Sequence, residues 1–203
     1  LYMDFHPRAS KNGGAWCGSY RGTYDTPEGE RVEPIKTVVC NFTTPTEDKP
    51  ALLSMDEVET LFHEFGHALD GLFAENTYPR TFVARDFVEL PSQIMEHWAT
   101  QPKVLKEYAR HYETGEAIPD ELIHKIEKSS YFNQGFANVE YLAASLLDMA
   151  YHTMSEPRNL EVMKFQKEYL DEIGLIPEIE PRYNSTYFSH ITGGYAAGYY
   201  RYI

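Results

Sequence analysis

The sequence predicts a mainly α-helical fold with a small β-sheet near the N-terminus. Three observations carry that expectation. The first fifty residues are rich in Gly, Pro and Thr and hold only short apolar runs. From Ser54 onward the apolar residues instead recur at helical spacing. With 203 residues, 42% of them hydrophobic and 24% charged, the chain has an ordinary globular composition. At about 150 residues per domain, that length suits one large domain or two small ones.

Taken in order, Ile35-Lys36-Thr37-Val38-Val39-Cys40-Asn41-Phe42 is the best strand candidate, β-branched and bounded by Pro34 and Pro45. Asp25-Thr26-Pro27-Glu28-Gly29-Glu30 carries turn chemistry, so a hairpin or small sheet is expected here. Ser54-Met55-Asp56-Glu57 fits a capping box, with a hydroxyl at the N-cap and a carboxylate three residues on. Val58, Leu61, Phe62, Phe65, Leu69 and Leu72 then predict a helix over residues 55–75. Pro79 breaks the next stretch, and Pro91 suits the first turn of a second helix that runs past Trp98. Pro102, Gly115 and Pro119 punctuate the region beyond it, and Asp120 can cap a helix through Lys128. Further helices are expected over residues 133–154 and 159–173. The tail from Pro181 is rich in Tyr and Gly and poor in charge.

The charge balance narrows the function classes. Eighteen basic against 31 acidic residues give a net charge of −13, a poor match for a phosphate backbone or an anionic membrane surface. Neither a nucleic acid nor a membrane is therefore expected as a partner. No apolar stretch approaches the roughly 18 residues of a membrane span. The longest apolar cluster, Tyr141 to Tyr151, already contains Ser145 and Asp148. Cys17 and Cys40 allow one bridge but no disulfide scaffold, and two reduced, buried thiols of a cytoplasmic protein are expected, with the periplasm as the other compartment. The opening Leu1-Tyr2-Met3-Asp4-Phe5 lacks a charged region ahead of an apolar core, so it does not read as a signal peptide. It reads as part of a longer chain.

The residues that carry chemistry are His63-Glu64-Phe65-Gly66-His67. Positions four apart share a helix face, so His63 and His67 can grip one Zn²⁺ from a rigid backbone. Glu64 lies on the flank, where it can reach a water without being a ligand. The bland alternative is two histidines and a glutamate on a solvated helix face. Against it, the motif falls inside a helix predicted independently from capping and periodicity. A catalytic zinc needs a third protein ligand and one open position. Glu75 is too far along the same helix. Asp86, Glu89 and Glu96 come after a loop that can fold a second helix back on the first, and spacing alone does not choose among them. Glu89, just before Pro91, has the edge.

Three separated blocks resemble one known family. Phe62-His63-Glu64-Phe65-Gly66-His67, Asp86-Phe87-Val88-Glu89-Leu90-Pro91-Ser92-Gln93 and His190-Ile191-Thr192-Gly193-Gly194-Tyr195-Ala196-Ala197-Gly198-Tyr199-Tyr200 are similar to the thimet oligopeptidase family of zinc metallopeptidases. Leu1-Tyr2-Met3-Asp4-Phe5 and Gly13-Gly14-Ala15-Trp16 also fit. The bacterial peptidyl-dipeptidase (Dcp) branch is nearest, with the oligopeptidase A branch close. The resemblance covers essentially the whole chain, residues 1–203. It implies the zincin-like catalytic region of a larger helical peptidase, with missing segments of the parent chain completing a substrate channel and the protein working as a monomer.

The resemblance further implies His63, His67 and Glu89 as ligands of one zinc per chain, Glu64 as catalytic base, and His190, Tyr195, Tyr199 and Tyr202 as lining of the cleft. The expected activity is release of C-terminal dipeptides from short peptides by Glu-assisted attack of zinc-activated water. An oligoendopeptidase of the same family and a truncated, non-catalytic zinc-binding domain are the alternatives. Tyr202, then Tyr195, is expected to donate to the oxyanion, with His190 assisting. Aromatic packing is the competing reading of these tyrosines. Gly193, Gly194 and Gly198 lack the Lys-Ser/Thr and the strand-turn-helix context of a phosphate loop. Gly14 and Ala15 are expected on an edge strand over residues 13–16 to which a peptide adds by main-chain hydrogen bonds. Arg201 is a candidate for the substrate's terminal carboxylate. Two departures from the family pattern stand out: a short loop between His67 and Glu89, and Asp70 where His is usual. Asp70 is a candidate to orient an imidazole.

Overall fold

The computed structural model describes residues 1–79, 83–156 and 159–203. It is mainly helical with a small N-terminal sheet, as the sequence predicts. The chain divides into two compact units. The first comprises Leu1–Val83 and Val88–Glu127, the second Ala84–Phe87 and Lys128–Ile203. No helix among the described residues is long and apolar enough to cross a membrane.

The first unit is built on a three-stranded sheet in the order β1 (Tyr2–Asp4), β5 (Ile35–Val39), β2 (Trp16–Arg21). β1 runs parallel to β5 with Met3 opposite Val38, and β2 runs antiparallel with Cys17 opposite Val38. β3 (Tyr24–Asp25) and β4 (Arg31–Val32) form the expected hairpin around the Asp25–Glu30 turn. The expected edge strand over residues 13–16 begins later than the sequence suggests. Gly14 has φ +89°, a left-handed conformation that ends an extended run, so β2 starts at Trp16. Cys17 and Cys40 are free, and burial pushes both thiols up to about 11.

α1 (Met55–Phe73) starts at the predicted capping box: the Ser54 hydroxyl accepts from the Glu57 amide, and the Glu57 carboxylate accepts from the Ser54 amide at 2.8 Å. Its inner face carries Ala68 against Val38, Cys40 and Phe42, with Phe5, Ala15, Cys17, Leu53 and Leu61 around them. The Ala15 side chain therefore belongs to the core beneath the sheet. α2 (Leu90–Ala99) folds back along α1 and has Pro91 in its first turn. α3 (Pro102–Tyr108) was not expected. Pro102, read in the sequence as punctuation, is instead a first-turn proline with its missing N–H at a position that needs none.

Gly66 sets how closely α1 and α2 approach. A Cβ there would lie 2.6 Å from the Pro91 carbonyl oxygen and 2.7 Å from Ser92 Cα. Both are backbone atoms at the start of α2 and cannot rotate away. Alanine in place of glycine gains about 1 kcal/mol of helix propensity, but overpacking costs about 1–3 kcal/mol. Gly66→Ala is expected to lower the unfolding midpoint and to shift the segment that carries Glu89, and with it any metal site built on that residue. Denaturation and zinc titration of the same variant check this.

The second unit contains the end of α4 (Asp120–Ser129), then α5 (Gln134–His152) and α6 (Val162–Glu172). Two short 3-10 turns complete it, Ser189–Thr192 and Tyr199–Tyr202. Ala144, Phe188, Ile191 and Tyr199 form its core, flanked by Tyr141, Tyr151, Tyr183 and Tyr202. The Tyr-rich tail is thus a packed part of the unit.

Candidate metal centre

His63 and His67 lie one turn apart on α1, their rings edge to face with centroids 4.9 Å apart. Glu89 is the residue just before α2, and its side chain is 2% exposed. Its Oε2 sits 3.3 Å from His63 Nε2 and 3.0 Å from His67 Nε2. Donor atoms of these three residues all fall within 4.8 Å of one another. Ligands about 2.1 Å from a tetrahedral zinc stand about 3.4 Å from each other. Two imidazole nitrogens and a carboxylate oxygen at these separations therefore fit a single zinc. Asp86 is exposed and belongs to the second unit, and Glu75 lies beyond the end of α1.

Two neighbours fix this donor set. The fully buried Ser92 hydroxyl donates to the Glu89 backbone carbonyl at 2.7 Å and reaches Glu89 Oε2 at 3.1 Å, which pins the carboxylate rotamer. Glu96 Oε1 lies 2.5 Å from His63 Nδ1, the ring nitrogen that faces away from Glu89. A carboxylate there selects the tautomer with Nε2 free to ligate and makes the ring more basic. Glu96, one of the three acids left open by spacing, thus holds a histidine from outside. Asp70, the residue considered for that task, is exposed. Burial pulls the His63 pKa down, but Glu89 and Glu96 outweigh it and raise it to about 9. The same negative field that favours a proton favours a cation.

Glu96→Gln keeps the size of the side chain and removes the charge that orients His63. Loss of such an outer partner typically costs about 10–100-fold in metal affinity. That loss, read by competition with a chelator, is the expected result, with the fold intact because Glu96 is partly exposed.

Glu64 stands beside the donor set. It is 6% exposed, and its Oε2 has no hydrogen-bond partner among the described residues. Burial raises its pKa, while the adjacent His63 and His67 oppose that shift. A buried acceptor left unsatisfied is costly unless water or a ligand completes it. The arrangement is three donors for a cation and, next to them, an acceptor with an unused lone pair.

His190, Tyr195, Tyr199 and Tyr202 lie in the second unit, and the structure gathers them. The His190 ring is 5.8 Å from that of Tyr195, 5.5 Å from Tyr199 and 6.4 Å from Tyr202. Tyr195 and Tyr202 stack at 5.3 Å. Burial, then the Arg182 charge, lowers the His190 pKa, and its Nδ1 is buried without a partner among the described residues. The sequence reading of Tyr199 as a residue lining a cleft needs correcting. Tyr199 is a core ring, 1% exposed and stacked on Tyr141, and burial pushes its hydroxyl above the usual tyrosine range. Tyr195 and Tyr202 are half-buried. Arg201 donates from Nε to the Gly198 carbonyl at 2.7 Å and lies over the Tyr195 ring, so it is engaged within its own segment.

Comparison with known proteins places the chain among peptidases. The chain is 47% identical to a dipeptidyl carboxypeptidase of Escherichia coli and 46% identical to one of Salmonella typhimurium, over its whole length and 30% of theirs. It is 36% identical to an oligopeptidase A of Escherichia coli, over its whole length and 31% of the relative's. The chain thus spans under a third of the length of these curated relatives. Residues 1–203 match the description of peptidase family M3, and the chain belongs to that family.

Proposed function

We propose that this chain is the metal-binding catalytic region of a zinc peptidase acting on short peptides, and that the whole protein removes dipeptides from their C-termini. The observation that carries the proposal is the convergence of His63, His67 and Glu89 beside a buried, unpartnered Glu64 oxygen. The dipeptide preference rests on the relatives named dipeptidyl carboxypeptidase, which are more similar to this chain than those named oligopeptidase A.

When bound, zinc supplies Lewis acidity, polarising the scissile carbonyl and making an adjacent water more acidic. The chain's own residues do the rest. Glu64 accepts the proton of the attacking water at its free oxygen and later hands it to the leaving amine. Glu89 and the two histidines hold the centre rigid, with Ser92 and Glu96 fixing their rotamers. The negative charge that develops on the carbonyl oxygen calls for a hydroxyl donor. Tyr202, then Tyr195, takes that role on the strength of the family resemblance, with His190 assisting. β2 is one of the two edge strands of its sheet, and Gly14 and Ala15 lead into it. A peptide backbone pairing along that edge would be held by main-chain hydrogen bonds, whatever its side chains.

The full-length protein tests this reading. It is expected to bind one zinc and to cut short peptides, to stop on chelation, and to recover when zinc returns. Mass spectrometry of products from peptides of graded length separates the two activities. Serial loss of two residues from the C-terminus supports the peptidyl-dipeptidase, and internal cuts support the oligoendopeptidase. A fully metallated protein that cuts neither way overturns the proposal.

A further inference from the structure

The glycine-bearing segment after His190 does receive an anion, but the anion is the protein's own. Ala197 has φ +52°, a left-handed turn rare for a residue with a side chain. It turns three successive backbone N–H groups toward one point, a concavity of the kind that binds anions. Asp148 fills it. Ala197 N–H donates to Oδ1 at 3.0 Å, and Gly198 and Tyr199 N–H donate to Oδ2 at 2.9 Å and 3.0 Å. His152, one turn further along α5, places Nδ1 2.8 Å from Oδ1. The carboxylate thus accepts three backbone hydrogen bonds, while the His152 ring nitrogen sits between Oδ1 and the Asp148 main-chain oxygen, 2.9 Å away. Asp148 is completely buried in the middle of the chain's most apolar helical stretch. Such a position is tenable only for a carboxylate so thoroughly hydrogen-bonded.

We propose that Asp148 is a positioning residue: its carboxylate locks the backbone at Ala197–Tyr199 and so fixes the two tyrosines that flank it, Tyr195 and Tyr202. The rigid element is α5. Its Ala144 and Tyr141 pack against the Tyr199 ring, so one helix holds the segment both by apolar contact and through the buried charge. Two other fastenings come from less buried side chains, Arg201 on the Gly198 carbonyl and Arg85 on the Gly194 carbonyl. Because Tyr195 and Tyr202 are stacked on each other, releasing the turn between them would displace both hydroxyls. The catalytic part of the proposal rests on the peptidase reading above. The clamp itself does not.

Two measurements on the full-length zinc protein test it. Hydrogen exchange of the peptide spanning residues 195–203 should be slow in the parent and faster by at least about 100-fold in Asp148→Asn, with α1 unchanged. Equal exchange in both proteins overturns the clamp. If Asp148→Asn folds poorly, the parent alone decides: the amides of residues 197–199 should exchange no faster than those of α5, and loop-like exchange overturns the proposal. In kinetics, Asp148→Asn should lower kcat about 10–100-fold, with KM within about 2-fold and zinc content unchanged. In the Tyr202→Phe background the same substitution should cost less than about 2-fold, since it acts through the tyrosines. Full multiplication of the two losses overturns the positioning role. A parent that cuts no peptide removes the catalytic reading, while the exchange measurement still decides the clamp.

Discussion

Glu64→Gln is expected to leave zinc stoichiometry at one per chain and to reduce peptide hydrolysis by about 10²–10⁴-fold, the range typical for a general acid–base group. The side chain is nearly isosteric, so neither packing nor the α1 backbone has reason to move. Glu64 is not part of the donor set, whose members are His63, His67 and Glu89, so affinity for the metal should change little. The loss is confined to the ability of Oε2 to take a proton. Stability gives a second, independent readout. The carboxylate is buried, its pKa is raised by that burial, and one of its oxygens has no partner among the described residues. Removing a poorly compensated buried charge is neutral or stabilising, so the thermal midpoint should hold or rise. Hydrolysis at the parent rate would show that the base has been misassigned. Loss of zinc would show that Glu64 is a ligand.

The features legible in the sequence are the local ones. The α1 capping box and the His63–His67 pair depend only on spacing within one helix, and the structure has both where the pattern puts them. The third donor is different. Spacing alone does not separate Asp86, Glu89 and Glu96; Pro91 and the family resemblance favour Glu89, and the return of α2 along α1 is what brings its carboxylate to both imidazoles. Glu89, just ahead of α2, and Glu96, within it, lie seven residues apart, and one meets Nε2 of His63 and the other Nδ1. That division of labour requires the packing distance set by Gly66. Asp148 shows the same limit more sharply. In the sequence it merely interrupts an apolar run; the N–H groups that explain it lie about fifty residues away. α3 was missed for a local reason, because a proline that breaks a helix interior also opens a helix.

Glu89→Ala is expected to weaken zinc binding by more than about 100-fold, beyond the upper end of what loss of an outer partner such as Glu96 costs. Glu89 is the one donor that comes from the α2 side, so without it the two imidazoles on α1 have no third ligand to close a catalytic site. Metal-free protein offers a separate check through pH. Burial depresses the His63 pKa, but Glu89 and Glu96 together lift it to about 9, above the unfolded value of 6.5. A raised histidine pKa contributes stability that is complete below the unfolded value and is lost as pH rises through the folded one. The penalty of Glu89→Ala in the apo protein should therefore be largest near pH 6 and shrink as pH climbs past about 9. Zinc titrations of Glu89→Ala and Glu96→Ala side by side then rank the two acids. If Glu96→Ala proves the more damaging, the ligand and its support have been exchanged. The order expected from the structure is the reverse, because only Glu89 reaches both imidazoles.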